Sequence, residues 1–380
     1  MTFYDVAVMG GGASGMACAV RLAENKNLKT VLIEAGDRLG KKLAATGNGQ
    51  GNVSNLDMTA EHFRSGNLAL VEKIACANPD VYREIFDCLF VSDEKGRIYP
   101  AGKQASALTD CLLRKLQGKI EIIHAKVADI QSGFKITLSD GSSLKSKFVV
   151  LCTGGKAQKQ FKTDGSAYSL ATCFGHKLTA LYPSLVQIKT DTKYINTLRG
   201  IRVDCAVKAC GKSVRGDVIF TDYGISGNAV FSISPYLADK RGAEISLEFL
   251  PDIPAEKIAE NLKIRLKNGV PFAEILSGTL HNQIGRAVLK RAGSDDIGEI
   301  VRVLKNFTLK VTGTLGFDYA QVTMGGIDME GITQELESKY EKNLFFAGEI
   351  LDVDGDCGGY NLQWAFASGL AVADSILKRV

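Results

Sequence analysis

Gly10, Gly12 and Gly15 lie in the run MGGGASGM, and no other feature narrows the fold as sharply. They fit the spacing GxGxxG in the context that spacing needs. Before them, Tyr4 to Met9 is a short apolar run suited to a buried parallel strand. After them, Met16 to Glu24 carries apolar residues at helical spacing, and KTVLIE over Lys29 to Glu34 reads as a second buried strand. Gly10 allows a tight turn, Gly12 lets a pyrophosphate approach the backbone, and Gly15 lets helix and strand pack closely. The helix N-terminus then offers free N–H groups to phosphate oxygens. Glu34 ends the second strand about 20 residues on, where a carboxylate accepts hydrogen bonds from an adenosine ribose. This is a βαβ unit for a dinucleotide; the plainer alternative is a glycine-rich turn of an ordinary α/β protein.

The opening motif serves FAD and NAD alike, because both carry an ADP half. The C-terminal segment separates them. LFFAGE, Leu344 to Glu349, is a strand ending in Gly348-Glu349, followed by the turn DVDGDCGG and a helix that begins after Gly359, near Tyr360. A helix N-terminus aimed at a flavin would stabilise negative charge on the reduced ring, which points to FAD. Lys41, Lys42, Thr46 and Gly47 belong to RLGKKLAATGNGQGN, a glycine-rich basic stretch suited to cover phosphates or flavin. It reads otherwise as a solvated basic turn.

Between these ends the pattern changes. Ile120 to Leu151 reads as strands, with a turn at Asp140-Gly141 and a last strand FVVLCTGG that ends at Thr153 and Gly154. A helix is predicted from about Asp164 to Gly175. Val186 to Leu250 is strand-rich, and Pro254 to about Leu309 reads as helical. The expected fold class is α/β. It comprises a discontinuous FAD-binding domain of Rossmann type (1–186 and 310–380), an inserted β-rich domain (187–253) and a helical domain (254–309). Such a layout suggests a cofactor held by one part and covered by another.

Composition excludes several classes. The 380 residues are 45% hydrophobic, so a large core is available. A formal net charge of +4, without a Lys/Arg block, gives no reason to expect nucleic acid as a partner. No apolar stretch reaches the roughly 20 residues of a membrane span, and the glycine-broken N-terminus is unlike a signal peptide. The nine cysteines stand singly with no CxxC, as expected of reduced core residues in a cytoplasmic protein. His62, His124, His176 and His281 show no metal spacing, and no metal site is predicted. His176, near a helix C-terminus, reads as a favourable dipole contact. Trp364 and Phe366 read as core, and the charged run Lys257 to Lys267 as the outer face of a helix.

The strings GGGASGM, GKKLAATGNG, LCTGG, FTDYGISG and GGYNLQWAFASG occur in that order across nearly the whole chain. Together they resemble the BaiN/RdsA family of bacterial NAD(P)/FAD-dependent oxidoreductases. The resemblance implies an FAD domain, an inserted β-barrel-like domain and a small helical domain. It also implies FAD contacts at Ser14, Glu34, Lys42, Val127, Gly348, Asn361 and Leu362, Val127 through its backbone to the adenine. One stretch departs from the family pattern. Gly49-Gln50-Gly51-Asn52 stands where the family commonly has Gly-Arg-Cys-Asn, so an Arg charge and a thiol are absent.

No second GxGxxG is present, which argues against a separate NAD(P)H domain; NAD(P)H is expected only as a transient electron donor. The expected activity is hydride transfer between NAD(P)H and a small hydrophobic or unsaturated substrate through bound flavin. Two alternatives stay open: an FAD oxidase or dehydrogenase of a small amine or hydroxy acid, and a flavin-binding sensor without turnover. Tyr223, in FTDYGISG, is a candidate proton donor, and Cys357, beside the expected flavin edge, a candidate redox thiol. Each also reads as an ordinary turn residue.

Overall fold

The computed structural model describes residues Met1 to Val380. By contacts the chain divides into two compact units, Met1–Leu181 with Val322–Val380, and Tyr182–Gln321.

The first unit is built on a Rossmann-type sheet. Thr2–Met9 lies at its centre, parallel to Thr30–Glu34 on one side and to Ser143–Leu151 on the other. Glu121–His124 extends the sheet beyond Thr30–Glu34, and Leu344–Phe346 pairs in parallel with the end of Ser143–Leu151. The C-terminal strand therefore joins a sheet begun by the N-terminus. Its parallel strands are near-continuous apolar runs because both faces are covered: Val6, Ala7, Val8, Val149, Val150, Leu344 and Phe345 have no exposed surface. The hairpin Val127–Gln131 and Lys135–Leu138 pairs antiparallel with the start of Ser143–Leu151. On the sheet, the helix Ala13–Leu22 packs against the final helix, Tyr360–Leu377. Trp364 and Phe366 of the final helix are core residues, as expected.

The second unit holds a closed barrel of Ile188–Thr190, Gly224–Ser226, Lys212–Phe220, Arg202–Ala209, Glu244–Glu248 and Phe307–Thr314. Its strands are antiparallel throughout. The helices Ala255–Lys267, Asn282–Ala292 and Ile297–Lys305 belong to this unit, and Leu262, Ile284 and Ile300 share one apolar cluster with barrel residues Phe220, Leu247 and Phe307. Contacts thus join helices and barrel, where the sequence reading drew a boundary at 253. The helical stretch also ends earlier than read, because the β-branched, alternating FTLKVTGT from Phe307 is a barrel strand. Ile258 and Leu262 face inward along Ala255–Lys267 while its charges face water.

Two local expectations need correction. The helix expected over 164–175 is a 3-10 turn, Ser166–Tyr168, and a single α turn, Ser169–Thr172. Gly165, at φ +78°, breaks its start. The strand-rich stretch after Val186 contains a helix, Asn228–Ile233, whose Ala229, Val230 and Ile233 are buried at helical spacing.

Candidate cofactor site

The N-terminal glycines form the first wall of the site. Gly10 turns the chain at φ +103°. A Cβ on Gly15 would overlap the Gly10 carbonyl, so only glycine lets helix and strand approach this closely. Around Gly12 the opposite holds, since nothing lies within 4 Å of the position of its missing Cβ. Gly12 also caps Ala13–Leu22 without a side-chain hydrogen bond, which leaves the first-turn N–H groups to a ligand. Glu34 lies beneath this turn. Its Oε2 accepts from Gly11 N at 2.7 Å and its Oε1 from Gly36 N at 2.6 Å. The carboxylate thus holds the loop itself, and each oxygen keeps a lone pair for a further donor.

The C-terminal strand supplies the second wall. Gly348, at φ +78°, passes so close to Ser14 that a Cβ would overlap its Oγ. Ser14 Oγ donates to Ala347 O at 3.4 Å. Gly348 N donates to Ser368 Oγ at 2.9 Å, and Trp364 Nε1 donates to Gly348 O at 3.1 Å. Next to it, Glu349 Oε2 pairs with Lys42 Nζ at 2.7 Å, and Glu349 Oε1 accepts from Thr323 N at 2.9 Å. Thr323 Oγ1 in turn accepts from Lys156 N and Ala157 N, tying the segment after Thr153 and Gly154 to the same corner.

The third wall is the start of the final helix. Gly359 caps it without a side-chain partner, and the position of its missing Cβ lies 2.8 Å from Asn52 Oδ1. Asn55 Nδ2 donates to Gly358 O at 3.1 Å. Asn361 turns its side chain back: Oδ1 accepts from Gly355 N at 2.9 Å and Nδ2 donates to Gly355 O at 2.8 Å. The Asn361 side chain is thus committed to Gly355. Leu362 packs partly buried on the core.

Lys41 pairs with the exposed Asp37, so the two adjacent lysines face different partners. Thr46 Oγ1 donates to Leu43 O at 2.7 Å, and Gly47 approaches the Asn52 backbone. Val127 opens the hairpin strand, three residues beyond His124, the register partner of Glu34. Of the two catalytic candidates, Tyr223 belongs to the second unit, where its carbonyl accepts from Thr190 N at 3.1 Å. Burial pushes its hydroxyl pKa up. Burial also pushes up the Cys357 thiol, against the pull of Arg97, which favours the thiol over the reactive thiolate.

His176 does not make the dipole contact read from the sequence. It is buried, its Nε2 lies 2.7 Å from Ser338 Oγ, and burial lowers its pKa from 6.5 to about 4. A neutral ring in an apolar niche gains nothing from a helix dipole. A cluster the sequence reading missed sits behind Gly359: His62, Arg64, Asp354 and Asp356. Its signal was present as alternation, HFR against DGD, with each pair two residues apart on short strands that face each other.

The walls fit an ADP-containing flavin on two observations. Two helix N-termini stand uncapped by side chains. Asn52 Oδ1 and Thr153 Oγ1 are buried without a protein partner, an arrangement that is costly unless a ligand or water completes it. Comparison with known proteins agrees. A family model described as the HI0933-like protein Rossmann domain matches residues 4–375. The chain is 31% identical to a 3-dehydro-bile acid delta(4,6)-reductase of Clostridium scindens, over 98% of this chain and 99% of that protein. It is 28% identical to a ribosomal RNA dihydrouridine synthase of Haemophilus influenzae, over 98% of each. Among solved structures, a 3-ketosteroid-delta4-(5alpha)-dehydrogenase from Rhodococcus jostii RHA1 has a similar fold, with TM-score 0.52 at 16% identity, over 99% of this chain and 97% of that one.

Proposed function

The chain belongs to the HI0933-like Rossmann family and is an FAD-dependent oxidoreductase, and from that premise we propose that it reduces a small, hydrophobic, conjugated carbonyl compound with electrons from NAD(P)H. When bound, the flavin supplies the relay between the two, taking a hydride from one partner and giving it to the other. The observation that carries the reading is the cradle within the first unit: two packed helices with uncapped N-termini, with Thr153 against Gly10 and the orphaned Asn52 Oδ1 against Gly359.

In this reading the residues divide the work. Gly10 to Gly15 and the first turn of Ala13–Leu22 receive the pyrophosphate, Glu34 the ribose, and the Val127 backbone the adenine. Gly348 gives the cofactor a close approach to the strand end. The Lys42–Glu349 pair fixes that corner and offers a cation beside it. The N–H groups of Asn361 and Leu362 point the positive end of the final helix at the ring, where reduction places negative charge. NAD(P)H docks only transiently. All nine cysteines are unpaired, which supports a reducing, cytoplasmic setting.

A second reading concerns the substrate alone. The two relatives' names describe different molecules and one chemistry, because a uracil ring and a 3-oxo-diene both present a carbon–carbon double bond conjugated to a carbonyl. The near-equal likeness to the dihydrouridine synthase favours testing RNA beside steroids. No helix is long and apolar enough to cross a membrane.

The test is anaerobic. The purified protein is expected to show flavin absorption that bleaches with NADH or NADPH. It is then expected to recolour when a 3-oxo-4,6-diene steroid is added. Recolouring by a uridine-rich ribosomal RNA transcript alone would move the substrate to RNA. Flavin that persists with both nucleotides would replace NAD(P)H by another donor, as in the oxidase alternative. Failure to bind added FAD would overturn the reading.

A further inference from the structure

The start of the final helix is held by a charged chain that the phosphate and ribose contacts do not require. Arg64 and Asp354 are register partners in the antiparallel pairing of Phe63–Ser65 with Val353–Gly355. Arg64 Nε and Nη2 both donate to Asp354 Oδ2, at 2.9 and 2.8 Å, and Nη1 donates to Asp356 Oδ1 at 2.6 Å. Asp354 is only 1% exposed, and the guanidinium lies against its buried charge. Beyond it, Asp356 Oδ2 faces His62 Nδ1 at 3.2 Å, and His62 Nε2 faces Asp57 Oδ2 at 3.0 Å. Asp356 N donates to His62 O at 2.8 Å. The imidazole then stacks on Tyr360, the first residue of the helix, with centroids 4.4 Å apart and planes 21° from parallel.

The chain of groups begins at a buried strand and ends on the first turn of the helix. Three carboxylates, Asp57, Asp354 and Asp356, stand against one guanidinium and one imidazole, so these five groups sum to a negative charge in either state of His62, while Arg97, itself paired with Asp93, and Lys95 act on the intervening Cys357. A net negative cluster beside a helix N-terminus opposes the positive end of the dipole. It therefore weakens the stabilisation that this end gives to an electron-rich ligand. Simple capping does not account for it, because none of these side chains caps the helix.

The geometry points to Arg64, Asp356 and His62 as positioning residues that set the field at the start of the final helix and thereby the reduction potential of the flavin held there. The inference rests on the flavin reading above. It acts through the Asp354-to-Tyr360 segment: Arg64 fixes where the segment lies, and Asp356 fixes how negative its surroundings are.

Asp356→Asn tests the charge at nearly constant shape. Arg64 keeps its two donors on Asp354, and the new amide still reaches His62. The variant is expected to retain FAD and to shift the midpoint potential upward in anaerobic dye-coupled titration. Asp57→Asn, at an exposed residue, is expected to shift it the same way by less, with the difference shrinking as salt is added. Arg64→Lys keeps the charge and loses the two-armed grip, so it should leave the potential near that of the wild type while weakening FAD binding several-fold. FAD bound to Asp356→Asn at an unchanged potential overturns this inference and leaves the flavin reading standing. A wild-type protein that binds no FAD overturns the flavin reading and takes this inference with it.

Discussion

At Gly51 the chain turns at φ +76°, and a Cβ there would lie 2.9 Å from Leu108 Cδ1 and 3.0 Å from the Ala105 Cα. The cysteine that the resembled pattern carries at this position would be strained on this backbone. Asn52, which the departure spares, is the residue whose Oδ1 is orphaned beside Gly359. His176 shows the converse case, a residue whose type misled. Its folded pKa lies near 4, against 6.5 for a free imidazole. The unfolded chain thus binds the proton more readily, and the stability from the neutral ring is complete above about pH 6.5 and is lost as pH falls toward 4. The loss is at most roughly 3 kcal/mol. Chemical denaturation across that window should show the wild type losing stability more steeply than His176→Gln. Parallel curves would reject the assignment.

Among the elements, the crossing of Ala13–Leu22 with Tyr360–Leu377 matters most, since it joins the two helices whose N-termini border the site. Gly369 makes the crossing close, as a Cβ there would overlap Ser14 O and come within 3.3 Å of Cys18 N. Gly369→Val should push the helices apart at a cost of about 1–3 kcal/mol. Because Ser14 belongs to the glycine turn, the same variant should also bind FAD less tightly. Thermal unfolding with and without FAD checks both, and a lower midpoint with undiminished FAD stabilisation would separate the crossing from the site. The elements legible in the sequence were those with strong periods: the opening strand, turn and helix, KTVLIE, and the final helix. Short pieces escaped because their packing, and not their pattern, decides them. Ser169–Thr172 is a single α turn, and Phe63–Ser65 is a strand only because Val353–Gly355 lies beside it.

On the scale of the whole molecule, the two units have separate apolar clusters. Phe220, Phe249 and Phe307 belong to that of Tyr182–Gln321, and Phe148, Phe345 and Phe366 to that of the first unit. Every residue assigned here to the cofactor lies in the first unit. A chain of residues 1–181 joined by a short flexible linker to 322–380 should therefore still bind FAD, and 182–321 alone should fold cooperatively. Visible absorbance of the first and circular dichroism melting of the second check this. A folded first unit that binds no flavin would show that the cofactor needs residues from the barrel.

The sequence by itself determined the glycine-turn βαβ unit and the apolar strand and helix near the C-terminus. Those features are local. A glycine without a tolerable alternative, an apolar run and a helix start each declare themselves within a few residues. Tertiary structure alone decided that the 254–305 helices share the barrel's core, that Lys42 and not its neighbour Lys41 pairs with Glu349, and that His62 and Arg64 reach Asp354 and Asp356. These are contacts between residues up to some 300 positions apart. Their partners are selected by the register and burial that the fold imposes, and no spacing along the chain encodes them.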